Sequence, residues 1–301
     1  MNTKQFQYVL VLAQEGSFSR AADVLGITQP SLSQYVKKIE KELGAELFDR
    51  VSGDVRITDA GHAYLDAGRR ILELEHQLEV ELSDLSENRT GSLIIGAAPY
   101  RAAGIVPVIT REFQKLHPGM HLVVREGTTA ELSEDMAHGA FDLALTLLPI
   151  DQRLFSYEKV AEEELLLAVP ADFPPLPTQH IPERKYPAVD AGQLNEKPMV
   201  MLTDAQFMQH RLEELAEEEG ISLHTAAVVK SLEAQIAMVR AGVGMALMPS
   251  GIERFCFPGE VVFYSFLQPL PKREVVVMWR KDRKLSQAAR ELKEVIRGIP
   301  W

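Results

Sequence analysis

Two short helical patterns separated by a glycine stand near the start of this chain of 301 residues. The first repeats apolar residues at the spacing of one helix face, at Phe18, Ala21, Ala22 and Leu25. Ser17 occupies the N-cap position of this helix, and Gly26 supplies a tight turn after it. Thr28 is placed to cap the second helix, whose first turn contains Pro30, where no backbone N–H is needed. The spacing predicts a helix-turn-helix.

The second of these helices has an apolar face and a polar face. We expect its buried stripe to contain Leu32, Tyr35, Val36, Ile39 and Leu43. The remaining side chains then point outward: Gln29, Ser31, Ser33, Gln34, Lys37 and Lys38. Short uncharged side chains followed by lysines are typical of a recognition helix that contacts base edges first and phosphates next. A solvated helical hairpin without a DNA-binding role has the same spacing, so spacing alone leaves both interpretations open.

Further elements flank this pair of helices. Residues 3–14 predict a first helix, ended by Gly16, that completes a three-helix core. After the second helix of the pair, a short hairpin is predicted with its turn near residues 52–54. Two arginines flank this hairpin and are expected to face the sugar-phosphate backbone, with ordinary surface positions as the alternative: Arg50 and Arg56.

A long helix is predicted from Thr58 to about Glu87. Its apolar residues fall seven apart at Tyr64, Ile71, Leu78 and Leu85, with Leu74 and Leu82 between them. This repeat favours pairing with a second copy of the same helix. A single amphipathic helix packed on its own domain is the alternative.

Strand and helix patterns alternate from residue 93 onward. Strands at 93–98, 121–126 and 141–148 are separated by two helical segments, which predicts a parallel sheet with crossover helices. The theme then repeats, with strands at 165–170, 198–203, 244–249 and 274–280 and helices at 204–219, 232–241 and 286–297. We therefore expect an α/β fold behind an N-terminal all-α winged helix-turn-helix.

The N-terminal sequence resembles the DNA-binding domain of LysR-type transcriptional regulators. The segment AADVLGITQPSLSQYVKKIEKELGAELFDR, followed by RITDAG, contains in order the family's alanine pair, Gln-Pro-Ser helix opening, Leu-Phe-x-Arg wing start and Thr-x-Ala-Gly opening of a long helix. The later segment IAMVRAGVGMALMPSGI is similar to the second lobe of the family's effector domain, which itself resembles a bilobed periplasmic binding protein.

The resemblance implies three parts. Residues 1–58 would form the winged helix-turn-helix domain, residues 59–90 a long linker and dimerisation helix with a hinge, and residues 91–301 the effector-binding domain. The chain is expected to cross to the second lobe near 161–165 and to return near 266–273. Lobe I then comprises 91–162 and 267–301, and lobe II comprises 163–266.

Loops at the carboxyl ends of the predicted strands define a candidate effector cleft, because open α/β sheets bind ligands there. Family resemblance points to the same loops, which contain Ala98, Pro99, Tyr100, Arg101, Thr128, Thr129, Thr146, Leu202, Thr203, Lys230 and Ser231. Many family members have a serine or threonine in the first loop, whereas this chain has Ala-Pro-Tyr-Arg. We expect Arg101, or else Lys230, to pair with a carboxylate on the effector. Thr203 and Ser231 have the simpler interpretation of helix caps.

Composition excludes several classes of protein. A net charge of −11 argues against coating nucleic acid by bulk electrostatics, so DNA reading must depend on where the cations sit. A single cysteine, Cys256, can form neither an internal disulfide nor a cysteine metal cluster. No apolar run approaches a membrane span, and residues 1–4 do not resemble a signal peptide. We expect a cytoplasmic protein.

Other candidate chemistry finds little support. His117 and His121 have the spacing of a helical metal pair, but a Pro-Gly pair separates them. The glycines of the segment AGVGM precede a strand and follow a helix, the reverse of a phosphate-binding turn. Ser250 lacks a nucleophile-elbow context, and Cys256 lacks a resolving cysteine. We predict no metal, no cofactor and no catalytic residue.

The expected function is ligand-responsive regulation of transcription through operator DNA, as a homodimer or homotetramer. Base contacts are assigned to Gln29, Pro30, Ser33 and Gln34, with Ser17, Lys37, Arg50 and Arg56 near phosphates. The resemblance also implies RNA polymerase as a partner. The alternative is a cytoplasmic solute-binding protein or small-molecule enzyme whose first 90 residues serve only for assembly. Activation and repression both remain open.

Overall fold

Three helices open the computed structural model, which describes residues 3–51, 54–85, 90–203 and 207–301. These are α1 (Thr3–Glu15), α2 (Phe18–Leu25) and α3 (Gln29–Leu43), and they enclose one apolar cluster around Val9, Leu12, Ala21, Leu32 and Val36. Gly26 makes the turn between α2 and α3 with a φ of 64°. Thr28 caps α3 by accepting a hydrogen bond from the backbone N–H of Ser31 at 3.4 Å, whereas the Ser17 side chain makes no capping bond.

A two-stranded antiparallel hairpin follows, formed by β1 (Phe48–Val51) and β2 (Asp54–Ile57). Glu40 of α3 ties its start to the helix, because the carboxylate accepts the N–H groups of Leu47 at 2.9 Å and Phe48 at 3.3 Å. The predicted wing is therefore present and anchored to the recognition helix. The tip of its turn, Ser52 and Gly53, lies outside the described residues.

Helix α4 (Asp59–Leu85) begins directly after the hairpin. The Thr58 hydroxyl accepts from the Gly61 N–H at 3.0 Å and donates to the carbonyl of Glu46 at 2.6 Å. A Cβ on Gly61 would lie 2.2 Å from the carbonyl oxygen of Leu47, so this position has no room for a side chain. The Thr-x-Ala-Gly motif is thus a helix cap combined with a close backbone approach. Residues 86–89, which contain the end of the expected linker and its hinge, lie outside the described residues.

The first large sheet contains five strands in the order β4-β3-β5-β13-β6. They are β3 (Gly91–Ala97), β4 (Met120–Glu126), β5 (Leu143–Leu147), β6 (Phe155–Glu163) and β13 (Arg273–Arg280). Strands β4, β3 and β5 are parallel, as predicted, whereas β13 runs antiparallel to both β5 and β6. Strand β6 was missed because its half-exposed residues FSYEKVAEE show no apolar run.

Helices cover both faces of this sheet. They are α5 (Pro99–Gly104), α6 (Val106–Leu116), α7 (Thr129–Ala137) and α10 (Gln287–Gly298). The single helix predicted after the first strand is divided at Ile105, which ends α5 and precedes α6. Phe113 of α6 is fully buried, whereas Leu116 is exposed because the helix ends there.

A second sheet has the strand order β11-β7-β12-β8. It comprises β7 (Leu165–Pro170), β8 (Ala188–Val189), β11 (Ala246–Pro249) and β12 (Val261–Phe266). A parallel pair, β9 (Pro198–Leu202) and β10 (His224–Val229), joins it through a bridge between Met199 and Met245. Helices α8 (Phe207–Glu219) and α9 (Leu232–Arg240) pack here, together with two 3-10 helices, Ala191–Leu194 and Ser250–Phe255.

Two chain crossings connect the sheets. Strand β6 ends at Glu163 and β7 begins at Leu165, while β12 ends at Phe266 and β13 begins at Arg273. The first connection is residue 164 and the second spans 267–272, and the lobe boundaries that the resemblance implies stay a prediction. None of the helices in the described part of the chain combines the length and the apolar run that a bilayer crossing requires.

Candidate DNA-binding surface and interlobe cleft

The first turns of α3 present a polar surface over a buried core. Leu32, Val36 and Ile39 point into the three-helix cluster, so the other faces of the helix turn outward. Of the residues assigned to DNA, these are exposed: Gln29, Pro30, Ser31, Gln34, Lys37, Lys38 and Arg56. Ser17 and Ser33 are half-buried. The Arg50 side chain lies outside the described residues. Leu43, predicted to be buried, is exposed because α3 ends there.

The two lysines of this surface differ in their surroundings. Lys38 lies 4.0 Å from the carboxylate of Glu42, one helical turn further along. Lys37 makes no ion pair within the described part of the chain, so its charge is available to a phosphate. The Ser31 hydroxyl is already engaged, at 2.7 Å from the Thr28 hydroxyl.

An apolar stripe runs along the far half of α4. Ile71, Leu74, Leu78 and Leu82 are all exposed, and Leu74 retains 63% of its surface. Tyr64, predicted to belong to this seam, is instead only 7% exposed and lies 4.9 Å from the Phe6 ring inside the N-terminal core. Tyr64 precedes the exposed stripe, in the part of α4 that still packs on α1. The Leu85 side chain lies outside the described residues.

Most residues predicted around the cleft cap helices or end strands. Thr128 forms a complete capping box with Glu131, and Ser231 caps α9 by accepting the Ala234 N–H at 3.2 Å. Leu202 is buried, and the Thr203 N–H donates to the carbonyl of Val229 at 3.1 Å. Thr203 would cap a helix together with Gln206, three residues later, but Gln206 lies outside the described residues. Pro99, Thr129 and Lys230 are exposed, and Ala98 is half-buried at the start of α5.

Thr146 differs from these loop residues. It is only 1% exposed, near the end of β5, and its hydroxyl has no hydrogen-bond partner among the described residues. Buried hydroxyls are normally satisfied by protein, water or ligand. Two residues of the predicted set therefore have a buried polar atom without a partner among the described residues: the Thr146 hydroxyl and the Nε of Arg101.

Arg101 does not have the role expected of it. Its guanidinium is 3% exposed and donates from Nη2 to Oε2 of Glu163 at 2.8 Å. The Tyr100 hydroxyl donates to Oε1 of the same carboxylate at 2.5 Å, and Arg273 donates to Oε2 at 2.7 Å. A buried cation already bound to a carboxylate is not free to bind an effector carboxylate. The expectation for Arg101 failed because Glu163 is 62 residues away in sequence.

The charges of this cluster control its protonation. Burial by itself would raise the pKa of Glu163, but the guanidinium groups of Arg101 and Arg273 and the hydrogen bonds from Tyr100 and Arg273 lower the pKa below its ordinary value. Burial raises the pKa of the Tyr100 hydroxyl far above its ordinary value. The carboxylate is therefore ionised and the phenol neutral throughout the physiological range.

A cavity of about 680 Å³ lies elsewhere, between the N-terminal helices and the first sheet. Leu10 of α1 and Arg69 of α4 form one wall, and Arg125, Asp135 and His138 contribute to the other. Burial raises the pKa of Asp135, and the charges of Arg125 and Arg69 oppose that rise. Sequence patterns could not find this cavity, because its walls come from five separate segments of the chain. Among the described residues, no group of three His, Cys, Asp or Glu side chains is arranged to hold a metal ion.

Comparison with known proteins gives the family. The model for the bacterial regulatory helix-turn-helix protein of the lysR family matches residues 3–62, and the model for the LysR substrate binding domain matches residues 86–299. The chain belongs to the LysR family of transcriptional regulators. It is a DNA-binding regulator with a substrate-binding domain, as its N-terminal motifs predicted.

Named relatives cover nearly the whole chain. The DNA-binding transcriptional dual regulator OxyR of Escherichia coli K12 is 29% identical, over 99% of this chain and 95% of its own length. The hydrogen peroxide-inducible genes activator of Escherichia coli O6:H1 matches equally well. These relatives are regulators, which rules against the alternative of a small-molecule enzyme.

Solved structures show the same fold. A full-length OxyR variant from Pseudomonas aeruginosa has a TM-score of 0.66 at 26% identity, covering 99% of this chain and 95% of that one. Full-length CbnR in complex with its target DNA also has a TM-score of 0.66, at 21% identity and 99% coverage of both chains. The fold of this chain is therefore the fold of full-length regulators.

Proposed function

We propose that this regulator reads operator DNA through the first turns of α3 and responds to a small molecule bound between its two lobes. The observation that carries the DNA-binding part is the exposed row of polar side chains from Gln29 to Lys37 over a buried three-helix core. Gln34 and Gln29 would contact base edges, while Lys37 and Arg56 would contact phosphates. The domain division at 1–58, 59–90 and 91–301 belongs to this proposal.

We also propose that the regulator acts as a homodimer or a homotetramer in the cytoplasm. An exposed apolar stripe on a helix is stabilised by pairing, and Ile71, Leu74, Leu78 and Leu82 form such a stripe on α4. CbnR in complex with target DNA has the same fold, which supports the presentation of two recognition helices to one operator. RNA polymerase, present at any promoter so regulated, is the further partner that we propose.

We favour an effector that is a small polar molecule without a net charge. The Arg101 guanidinium is buried and already donates to Glu163, which argues against its pairing with an effector carboxylate. The buried Thr146 hydroxyl is an uncharged group of the predicted set that a bound ligand would satisfy.

The name hydrogen peroxide-inducible genes activator raises thiol oxidation as an alternative signal, and the cysteine content of this chain argues against it. Its one cysteine, Cys256, cannot pair within the chain, and burial raises the pKa of its thiol. Reactive thiols are those whose pKa is lowered. We therefore propose ligand binding, not thiol oxidation, as the signal.

A gel shift on the DNA upstream of the protein's own gene, with random DNA as competitor, tests the DNA-binding part. Specific retention supports the proposal, and equal binding to both DNAs contradicts it. A thermal-shift screen of metabolites tests the effector part, since a ligand that binds the folded state raises its stability by mass action.

A further inference from the structure

The buried cluster around Glu163 lies where the chain passes between the two lobes. Glu163 is the last residue of β6, just before the chain crosses, and Arg273 is the first residue of β13, just after it returns. The two are direct partners in the strand pairing. The cluster therefore sits on both connecting strands, which is where any change in the angle between the lobes must be absorbed.

Helix α5 brings a third element to this point. Tyr100 belongs to the chain of the first lobe, but its ring lies in the apolar cluster of the second lobe, with Leu166, Met248 and Ile252. Its hydroxyl and the neighbouring Arg101 guanidinium both bind Glu163. One carboxylate thus joins α5, which begins the candidate cleft at Ala98, to the connecting strands.

The charge balance makes Glu163 the centre of the cluster. Two guanidinium groups, those of Arg101 and Arg273, face one carboxylate, and all three side chains are at most 9% exposed. Without that carboxylate the two like charges would face each other in a site closed to water. The Nε atoms of both arginines have no partner among the described residues, and Glu163 is the carboxylate that pairs with both guanidinium groups.

We propose that Glu163 is a positioning residue that sets the angle between the two lobes and thereby the shape of the effector cleft. This inference rests on the proposed ligand-responsive function, which it deepens by naming the joint that the effector must work against. The carboxylate binds α5, β6 and β13 together at the two crossings. Effector closure of the lobes then occurs around this fixed point, with Tyr100 and Arg101 as part of the joint and not as ligands.

The test measures the distance between the lobes directly in the full-length protein. Cys256→Ser removes the native thiol, and Gln152→Cys in the first lobe with Glu217→Cys in the second provides two exposed sites for spin labels. Labelled protein is diluted in unlabelled protein so that distances between protomers do not contribute. The interlobe distance distribution is then compared between this background, Glu163→Gln and Glu162→Gln. Glu162 is the matched control, because it is adjacent and its ion pairs with Lys159 and Lys272 lie at the surface, where such pairs contribute little.

We expect Glu163→Gln to broaden the distribution or to shift its mean by about 2 Å or more, the scale of loop and domain rearrangements. Glu162→Gln should leave the distribution unchanged. An unchanged distribution in folded Glu163→Gln protein, even with a lower unfolding temperature, would overturn the proposal, because the residue would then be structural only. The measurement needs neither DNA nor effector, so its failure is distinguishable from failure of the gel shift.

A second variant guards against misfolding of Glu163→Gln. Arg101→Met removes the excess positive charge, keeps an unbranched apolar stem in the buried site, and leaves Glu163 paired with Arg273. The variant removes the ion pair between α5 and Glu163 and keeps the hydrogen bond from the Tyr100 hydroxyl. We expect the same change of the distribution in smaller degree, and an unchanged distribution in this folded variant would also overturn the proposal.

Discussion

At the scale of single residues, two side chains of similar chemistry have opposite roles. Lys37 stands exposed without an ion pair within the described residues, whereas Arg101 is buried against a carboxylate. Both were predicted as cations for a ligand, but only the first has a charge that a ligand can reach. The surroundings of a charged group decide whether it binds a ligand or stabilises the fold.

The recognition helix yields a prediction about sequence preference. Gln34→Ala should lose about 1 to 3 kcal/mol of discrimination between operator and random DNA, because a base-edge contact is removed. Lys37→Ala should weaken binding to all sequences alike and reduce the salt slope by about one, because it removes a phosphate contact. Fluorescence anisotropy titrations over a salt series check both variants. Equal losses on operator and random DNA for Gln34→Ala would refute its assigned role.

The Glu163 cluster yields a prediction about pH. Its carboxyl pKa is lower in the folded protein than in the unfolded chain, so its stabilising contribution is fully present above the unfolded pKa and is lost as the pH falls through the folded pKa. Glu163→Gln should cost about 3 to 5 kcal/mol near neutral pH, the cost of breaking a buried ion pair. The difference in thermal midpoint from wild type should shrink as the pH falls below about 4. A difference that stays constant from pH 7 to pH 3 would contradict this account.

At the scale of elements, the two halves of α4 have different surroundings. Its first turns pack on α1 and the wing, where Tyr64 is buried, and its later turns present leucines to the outside. Gly68 permits the packing on α1, since a Cβ there would lie 2.4 Å from the Phe6 ring. The glycine that interrupts the heptad pattern is thus a packing requirement of the N-terminal core.

The wing and α4 share a contact that can be tested at Gly61. Gly61→Ala should destabilise the N-terminal domain by about 1 to 3 kcal/mol, because the added methyl group overlaps the Leu47 carbonyl. Gly298→Ala in α10 is the matched control, since nothing lies within 4 Å of its Cβ position. Urea unfolding followed by circular dichroism measures both. Equal stability of the two variants would show that the close approach is not required.

The exposed stripe of α4 yields a prediction about assembly. Leu78→Asp should lower the oligomeric state and weaken operator binding, because a charge would be buried in the paired helices. Leu154→Asp serves as the control, since Leu154 is an equally apolar and similarly exposed residue before β6. Sedimentation velocity measures the oligomeric state. An unchanged oligomer for Leu78→Asp would remove this stripe from the interface.

At the scale of the whole molecule, the proposed function requires that the effector cleft and the DNA-binding domain be coupled. Any effector found by thermal shift should change the operator affinity by a factor of about 5 to 150, the usual range of coupling between sites. By linkage, operator DNA must change the effector affinity by the same factor. Titrations of each ligand in the presence and absence of the other check this equality. An effector that leaves operator affinity unchanged would not be the signal for this protein.

Local patterns were enough to predict the three N-terminal helices, the wing and the first three parallel strands. Periodicity and capping depend on residues within one or two turns of each other, as Thr28, Ser31 and Leu32 illustrate. The N-terminal motifs also indicated the family, because the residues of each motif are close in sequence and the motifs follow one another in a fixed order. The expected crossings near 161–165 and 266–273 came from that resemblance and not from a local pattern.

Only the tertiary structure decided what Arg101, Tyr64 and Glu163 do. The Glu163 carboxylate binds residues 62 and 110 positions away, and no pattern within one element contains such pairs. Tyr64 fits the heptad equally well in a seam or in a core, and the close approach of α1 assigns it to the core. The sequence by itself determined which segments form helices and which domain reads DNA. Long-range packing of charges and rings decided which residues of the predicted cleft are free to meet a ligand.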